Sequence, residues 1–217
     1  MDLFSEHLFT QEQSMPVKLG EGAYWLPSLA LSIADMLWAT LTEHFKTYPP
    51  QQMTTPMGYK MSVRTTSFGQ YGWVGTTDGY GYSKYNPEAN RPWPAIPSFF
   101  LEFAQHAAQL AGYDNFAPDT CLVNLYAIGT KMGLHQDKDE RDFTQPIVSV
   151  SLGIPATFLF GGTQRTDKTI KILLTHGDVV VWGGASRKSY HGVNIIKPNR
   201  HPLLGALRCN LTFRKAC

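Results

Sequence analysis

Little in this chain is extreme, and each scarcity removes a class of protein. There are 3 cysteines in 217 residues. Cys121, Cys209 and Cys217 are too few and too scattered for a disulfide framework or a zinc cluster, so the first two are expected in strands and the last as a terminal thiol. No run is long and apolar enough to span a membrane. The start, Met1-Asp2-Leu3-Phe4-Ser5-Glu6, lacks the basic stretch and apolar core of a signal peptide, so a cytoplasmic protein without a membrane partner is expected. Charge is sparse as well: 17% of residues are charged, for a formal net charge of +2. That balance permits a nucleic-acid partner without arguing for one, and any basic surface must be local. No internal repeat, low-complexity tract or linker divides the chain. Its 43% hydrophobic content suits one domain, or one core with an appended lid.

What is present falls into three stretches: 1–50, an arm and helix; 51–97, a lid; and 98–217, a second helix and a strand-rich core. Residues 1–27 read as an extended arm. A helix is expected from Ser28, which can cap it, with Leu29, Ile33, Leu37, Leu41 and Phe45 at helical spacing and Pro49-Pro50 as its stop. A second helix is expected over 98–111, with Phe99, Phe103, Ala107 and Leu110 inward and Gly112 ending it. Between them, residues 51–97 interleave Tyr59, Phe68, Tyr71, Trp73, Tyr80, Tyr82, Tyr85 and Trp93 with glycines and scattered Lys and Arg. Such a mixture offers stacking faces for bases and cations for phosphates, or else forms a hairpin subdomain with its own aromatic cluster. From Asp119 the pattern is strand after short strand: 121–126, 147–152, 157–160, 169–174, 178–182, 193–197 and 207–213. That spacing argues for a sandwich or a double-sheet jelly roll.

His135-Gln136-Asp137 carries the chemistry. On an extended strand these two side chains would share a face and could present an imidazole and a carboxylate to one ion, with His191 as candidate third ligand. The bland alternative is a surface histidine beside a solvated charge run. A second copy, His176-Gly177-Asp178, lies between two apolar runs and reads as a turn. In 207–214, alternation places Arg208, Asn210, Thr212 and Arg214 on one face and Cys209, Leu211 and Phe213 on the other. Turned inward, two arginines about 20 Å apart along the strand need anionic partners. A small dicarboxylate between them, or Asp and Glu of a neighbouring strand, would serve. Leu122, Asn124 and Tyr126 likewise share one face.

In order, Asn124-x-Tyr126, Gly129, His135-x-Asp137, His191 and Arg208-x-Asn210-x-x-x-Arg214 resemble the AlkB family of Fe(II)- and 2-oxoglutarate-dependent nucleic-acid dealkylases, its bacterial members above all. The match runs from about Thr55 to Arg214. The resemblance implies a β-rich α+β fold: a double-stranded β-helix, or jelly roll, with N-terminal helices and an aromatic nucleotide-recognition lid. It implies that His135, Asp137 and His191 hold Fe(II), and that Asn124, Tyr126, Arg208, Asn210 and Arg214 hold 2-oxoglutarate, one arginine near each carboxylate. Trp73 would stack on an extruded base and Asp139 would contact its exocyclic nitrogen, with Thr55, Tyr80 and Arg165 near the bound strand.

The implied reaction uses O2 to hydroxylate an N-alkyl group, which leaves as formaldehyde beside succinate and CO2. The implied partner is single-stranded or duplex DNA, with RNA as a further candidate, and a monomer is expected. One departure stands out: Asn124-Leu125-Tyr126-Ala127-Ile128-Gly129 replaces the bacterial Asn-Arg-Tyr-Ala-Pro-Gly, losing a charge and a turn-fixing proline. Two other readings keep part of these features. One is an iron and 2-oxoglutarate hydroxylase of a protein or small molecule, which a lid of stacking aromatics disfavours. The other is a jelly-roll module that binds single strands without chemistry, which has no need of a diacid clamp.

Overall fold

Alternating side chains along the C-terminal strands settle how the sheets face. A computed structural model describes residues 15–54, 58–76 and 79–217. Its elements are β1 (Val17–Gly20), β2 (Ala23–Leu26), α1 (Ala34–Thr47), β3 (Gln51–Thr54), β4 (Lys60–Gly69), β5 (Gly72–Thr76), β6 (Gly79–Ser83), β7 (Tyr85–Asn86), β8 (Arg91–Pro92), α2 (Ser98–Leu110), β9 (Thr120–Ala127), β10 (Met132–His135), β11 (Ile147–Gly153), β12 (Ala156–Phe160), β13 (Ile170–Leu174), β14 (Val179–Trp182), β15 (His191–Val193) and β16 (Leu207–Arg214). Eight strands form one sheet in the order β1-β2-β14-β11-β16-β9-β4-β3, and four form a second in the order β10-β15-β12-β13. Two hairpins, β5–β6 and β7–β8, complete the described strands.

On the large sheet Cys121, Val123, Cys209, Leu211 and Phe213 point outward and pack against the helices in the main core. Tyr126, Ile147, Val180 and Trp182 point the other way and meet Phe158, Phe160, Ile172 and Val193 of the small sheet. This is the double-sheet jelly roll that the sequence implies, a β-rich α+β fold with both helices on one outer face. The helices differ in detail from the sequence expectation. The backbone N–H of Ser28 donates to Asp178 Oδ1 (2.8 Å), and Ser28 takes φ 59° instead of capping a helix. A short 3-10 turn at Leu31–Ile33 then leads into α1, which buries Leu37 and Leu41. In α2 Phe100, not Phe99, turns fully inward, together with Phe103, Ala104, Ala107 and Ala108, whose small alanines let the helix close on the sheet. Gly112 ends it at φ 84°.

Of the extended arm expected over 1–27, residues 1–14 lie outside the described residues, and 15–27 form the β1–β2 hairpin, which extends the large sheet through β2 and β14. Residues 51–97 divide: β3 and β4 join the large sheet, while β5–β6 stands apart over one mouth of the jelly roll. At the hairpin's root a side chain on Gly72 would collide with the Trp93 indole, so glycine is needed for that close approach. The strand expected over 193–197 is instead His191–Val193, after which Asn194 and Ile196 bond to Thr157 and Thr130. The turn that lacks the family's proline is closed by Gly129 N–H to the Ile196 carbonyl and by Thr130 Oγ1 to the Ala127 carbonyl.

One core group makes stability depend on pH. His44 of α1 lies between the rings of Tyr48 and Phe68, its Nε2 3.1 Å from Thr66 Oγ1, and burial lowers its pKa to about 4. Because the folded pKa is depressed below that of the unfolded chain, only the unfolded state takes up a proton between about pH 6.5 and 4, so stability falls as pH drops through that window. His44 alone should contribute a loss of about 2 kcal/mol between pH 7 and 5. Urea unfolding of wild type and His44→Gln at both pH values checks it: the variant should lose that part of the slope, and an unchanged slope would contradict it.

Candidate active site

Cross-strand register brings the two histidines together. His135 and His191 are direct partners across β10 and β15, where side chains on one face lie about 4.5–5.5 Å apart. Their ring centroids are 4.4 Å apart. The strand ends at His135, so alternation does not place Asp137; a buried arginine does. Arg214 Nη2 and Nε lie 2.7 and 2.9 Å from Asp137 Oδ2. The two carboxylate oxygens of Asp137 then each lie 3.7 Å from one imidazole Nε2, Oδ1 from His135 and Oδ2 from His191. One ligand atom from each of the three residues lies within 4.8 Å of the others.

The imidazoles are held in the tautomer that a metal needs. His135 Nδ1 lies 2.9 Å from the Gly133 carbonyl and His191 Nδ1 lies 3.0 Å from the Ser189 carbonyl. A carbonyl only accepts, so each Nδ1 carries the hydrogen and each Nε2 lone pair faces Asp137. Burial beside Trp182 and Phe158 lowers the His191 pKa to about 4, which keeps it neutral and able to ligate. For Asp137 burial acts upward, but Arg214, His191 and His135 outweigh it and hold the carboxyl well below the usual range. It is the anionic member of the three.

Beside this cluster, β9, β16 and β11 lay a polar stripe across the inner face. In register, Tyr126 faces Arg208, Asn124 faces Asn210, and Leu122 faces Thr212. Asn210 Nδ2 donates to Ser149 Oγ and the Val150 carbonyl, and Thr212 Oγ1 donates to Asn210 Oδ1. Arg208 is 2% exposed. Its Nη2 donates to Ser151 Oγ (3.0 Å) and its guanidinium lies 5.0 Å from the Tyr126 ring centre, while Nε and Nη1 have no partner. Asn124 Oδ1 is also buried and unpartnered. The two arginines therefore differ. Arg214 is already matched by Asp137 and by Glu140, 3.5 Å from its Nε; Arg208 has no acidic partner among the described residues. An unmatched buried cation is costly, so Arg208 fits a site built for an anionic ligand.

These groups line one cavity of about 420 Å³, roofed by Trp73, Tyr80 and Tyr82 of the β5–β6 hairpin. Trp73 and Tyr80 stack at 4.8 Å, and Trp73 Nε1 donates to Asp139 Oδ2 (2.9 Å), which ties the roof to the histidine segment. Arg165 is outside the cavity wall: its Nη1 donates to the Leu134 carbonyl and its guanidinium lies 5.8 Å from the Tyr190 ring centre. Thr55 lies outside the described residues. The second His-x-Asp copy is a turn, with Gly177 at φ 87°, Asp178 accepting from Thr175 and Ser28, and His176 Nδ1 accepting from Gly153 N–H.

Two participants went unnoticed in the sequence. Glu140, 6% exposed, accepts from Tyr82 Oη at 2.7 Å and lies 3.3 Å from Arg187 Nη2. Glu140 sits in a charge run and Arg187 in Ser186-Arg187-Lys188, and neither setting distinguishes a buried charge from a solvated one. The segment that carries Asp137 and Glu140 is therefore tied to Arg187, Arg214 and Tyr82, where its composition reads as a solvated charge run.

Two imidazoles and a carboxylate on one side of a cavity leave coordination positions open for a co-substrate and O2. The profile of the 2OG-Fe(II) oxygenase superfamily matches residues 22–214. The alpha-ketoglutarate-dependent dioxygenase AlkB of Escherichia coli K12 is 49% identical over 209 residues, 96% of this chain and 97% of that one. The protein of the same name from Salmonella typhimurium LT2 is 47% identical over 216 residues, 100% of this chain and 98% of that one. A solved structure of OsALKBH1 matches with a TM-score of 0.79 at 31% identity, covering 92% of this chain and 99% of the other. The chain belongs to the 2OG-Fe(II) oxygenase superfamily and, within it, to the AlkB family. It is a dioxygenase that uses Fe(II), 2-oxoglutarate and O2. No helix among the described residues is long and apolar enough to cross a membrane.

Proposed function

We propose that this enzyme oxidatively dealkylates N-alkylated bases in DNA or RNA, acting as a cytoplasmic monomer and releasing formaldehyde, succinate and CO2. The observation that carries this reading is the continuity of one cavity from the histidine cluster to the aromatic roof. A hydroxylase of small molecules or folded protein has no need of a stacked Trp73–Tyr80 pair above its metal. A binding module without chemistry has no need of Arg208, a buried cation awaiting an anion.

His135 and His191 offer their Nε2 lone pairs and Asp137 its carboxylate to Fe(II). Bound Fe(II), with 2-oxoglutarate and O2, supplies the oxidising power that places a hydroxyl on the N-alkyl carbon. The chain's own residues position and enclose. Arg208 receives one carboxylate of 2-oxoglutarate, with Asn124 and Tyr126 beside it; Arg214, next to Asp137, serves the metal end, and Asn210 braces the stripe between them. Phe158 and Trp182 wall His191 and exclude water. Extruding a base costs a few kcal/mol, and stacking on Trp73 repays part of it while Asp139 accepts from the exocyclic amine. Trp73 engages only Asp139 Oδ2, so the carboxylate keeps acceptor sites for the base amine. Tyr80, Arg165 and Thr55 serve the flanking strand.

Trp73→Ala should weaken binding of an oligonucleotide bearing an N-methylated base by about 1–3 kcal/mol, the worth of one stacked base. Its Mn(II) and 2-oxoglutarate affinities should stay at wild-type values. Fluorescence anisotropy with methylated and unmethylated strands reads the difference. Full affinity for the methylated strand with lowered thermal stability would make Trp73 a packing residue and remove the base-stacking role.

A further inference from the structure

We infer that Arg187 is a positioning residue that sets the metal-binding geometry of Asp137 from below, by serving as the internal scaffold of the irregular segment 137–145. This inference rests on the proposed ligation by His135, Asp137 and His191. No strand or helix orders that segment, yet it carries Asp137, Asp139 and Glu140. Backbone groups without a ladder need other partners. Beside the bond from Arg141 N–H to the Ala216 carbonyl, Arg187 supplies two of them from one guanidinium: Nη1 donates to the Asp137 carbonyl (3.0 Å), Nε donates to the Gln145 carbonyl (3.1 Å), and Nη2 makes its charge contact with Glu140. The same group lies 5.3 Å from the centre of the Phe143 ring. All of these polar contacts go to one nine-residue stretch, and the arginine itself is 2% exposed.

The position of Arg187 in the chain makes it more than a local brace. It lies four residues before His191, just after the 3-10 turn at Gly184–Ser186. It therefore links the two chain segments that bring the histidines to the cluster. A second tie runs alongside, from Gln136 Nε2 to the Lys188 carbonyl at 2.6 Å. Charge is balanced within the group as well. Arg187 and Arg214 stand against Asp137 and Glu140 before any ligand arrives. Removing Arg187 would free the Asp137 backbone and leave Glu140 short of one counter-charge, while Arg214 would continue to pull on the Asp137 carboxylate. A lysine can restore the charge but cannot span two carbonyls and a carboxylate at once.

The test compares wild type, Arg187→Lys and Arg187→Gln as apoproteins. Mn(II) binding is titrated calorimetrically, without 2-oxoglutarate or nucleic acid. Partners that orient a ligand are worth about 10–100-fold in metal affinity, so Arg187→Lys should weaken Mn(II) binding at least tenfold, with Arg187→Gln no better. Limited trypsin digestion gives a second reading, since Lys138 and Arg141 are exposed on the segment. Wild-type apoprotein should resist cutting there, Arg187→Lys should be cut faster, and Mn(II) should slow that cutting. Wild-type Mn(II) affinity in both variants would overturn the inference. Rapid cutting of wild-type apoprotein at Lys138 and Arg141 would overturn it too, even if neither variant folds, because metal rather than Arg187 would then order the segment. If wild type itself fails to bind Mn(II), the reading of the site falls, and not only the role of Arg187.

Discussion

Arg208→Met should make the apoprotein as stable as wild type or more so, while raising the Kd for 2-oxoglutarate about 100-fold or more. The two signs have one cause. Arg208 is buried with two unpartnered nitrogens and no acidic partner among the described residues, and burial lowers its pKa. Replacing an uncompensated buried charge by an apolar side chain of similar length removes a desolvation cost. The same change removes at least two charge-assisted hydrogen bonds to a carboxylate, each worth about 1.5–3 kcal/mol. Arg208→Lys should fall between, since lysine keeps the charge but not the fork. Thermal melts of the apoprotein and calorimetric titration of 2-oxoglutarate against the Mn(II) form separate the two effects. Lowered stability with unchanged co-substrate affinity would make Arg208 part of a structural charge network.

Asp137→Ala is expected to abolish detectable Mn(II) binding, a loss beyond the roughly 100-fold that an orienting partner alone brings. It should also destabilise the apoprotein, because Arg214 loses the partner at 2.7 Å and, among the described acids, keeps Glu140 at 3.5 Å. Breaking a buried pair from one side typically costs about 3–5 kcal/mol. Asp137→Asn keeps an acceptor for Arg214 and should lose the metal with a smaller stability loss. His135→Ala should lose the metal without touching the arginines, and His176→Ala should bind Mn(II) normally. Retained metal affinity in Asp137→Asn, or its loss in His176→Ala, would move the site.

How much of this was legible in the sequence depends on the range of each contact. Strand alternation in 207–214 correctly divides Arg208, Asn210, Thr212 and Arg214 from Cys209, Leu211 and Phe213, because period-two geometry is local and both faces are buried. Asn124 and Tyr126 were legible for the same reason. Asp137 was assigned the right neighbours by the wrong geometry: the strand stops at His135, and Arg214, 77 residues on, aims the carboxylate. Ser28 shows the same limit at a helix end, where Asp178, 150 residues away, takes its N–H and delays the helix. Glu140 lies in a charge-rich run and Arg187 beside Lys188 in a small polar stretch, and the burial of each depends on tertiary neighbours, so local pattern gives no sign of them. The 51–97 stretch shows composition misleading on organisation, since its aromatics mark the β5–β6 roof but β3 and β4 before it belong to the large sheet and β7–β8 after it form a hairpin of their own.

The central claim is that a base held beneath the aromatic roof is oxidised at the histidine cluster, and stoichiometry tests it most directly. Succinate and formaldehyde are measured from the Fe(II) enzyme with 2-oxoglutarate and O2, in the presence of an N-methylated oligonucleotide, its unmethylated twin, or neither. Succinate should rise well above its background only with the methylated strand, matched one for one by formaldehyde. Equal succinate with all three, and no formaldehyde, would contradict the claim.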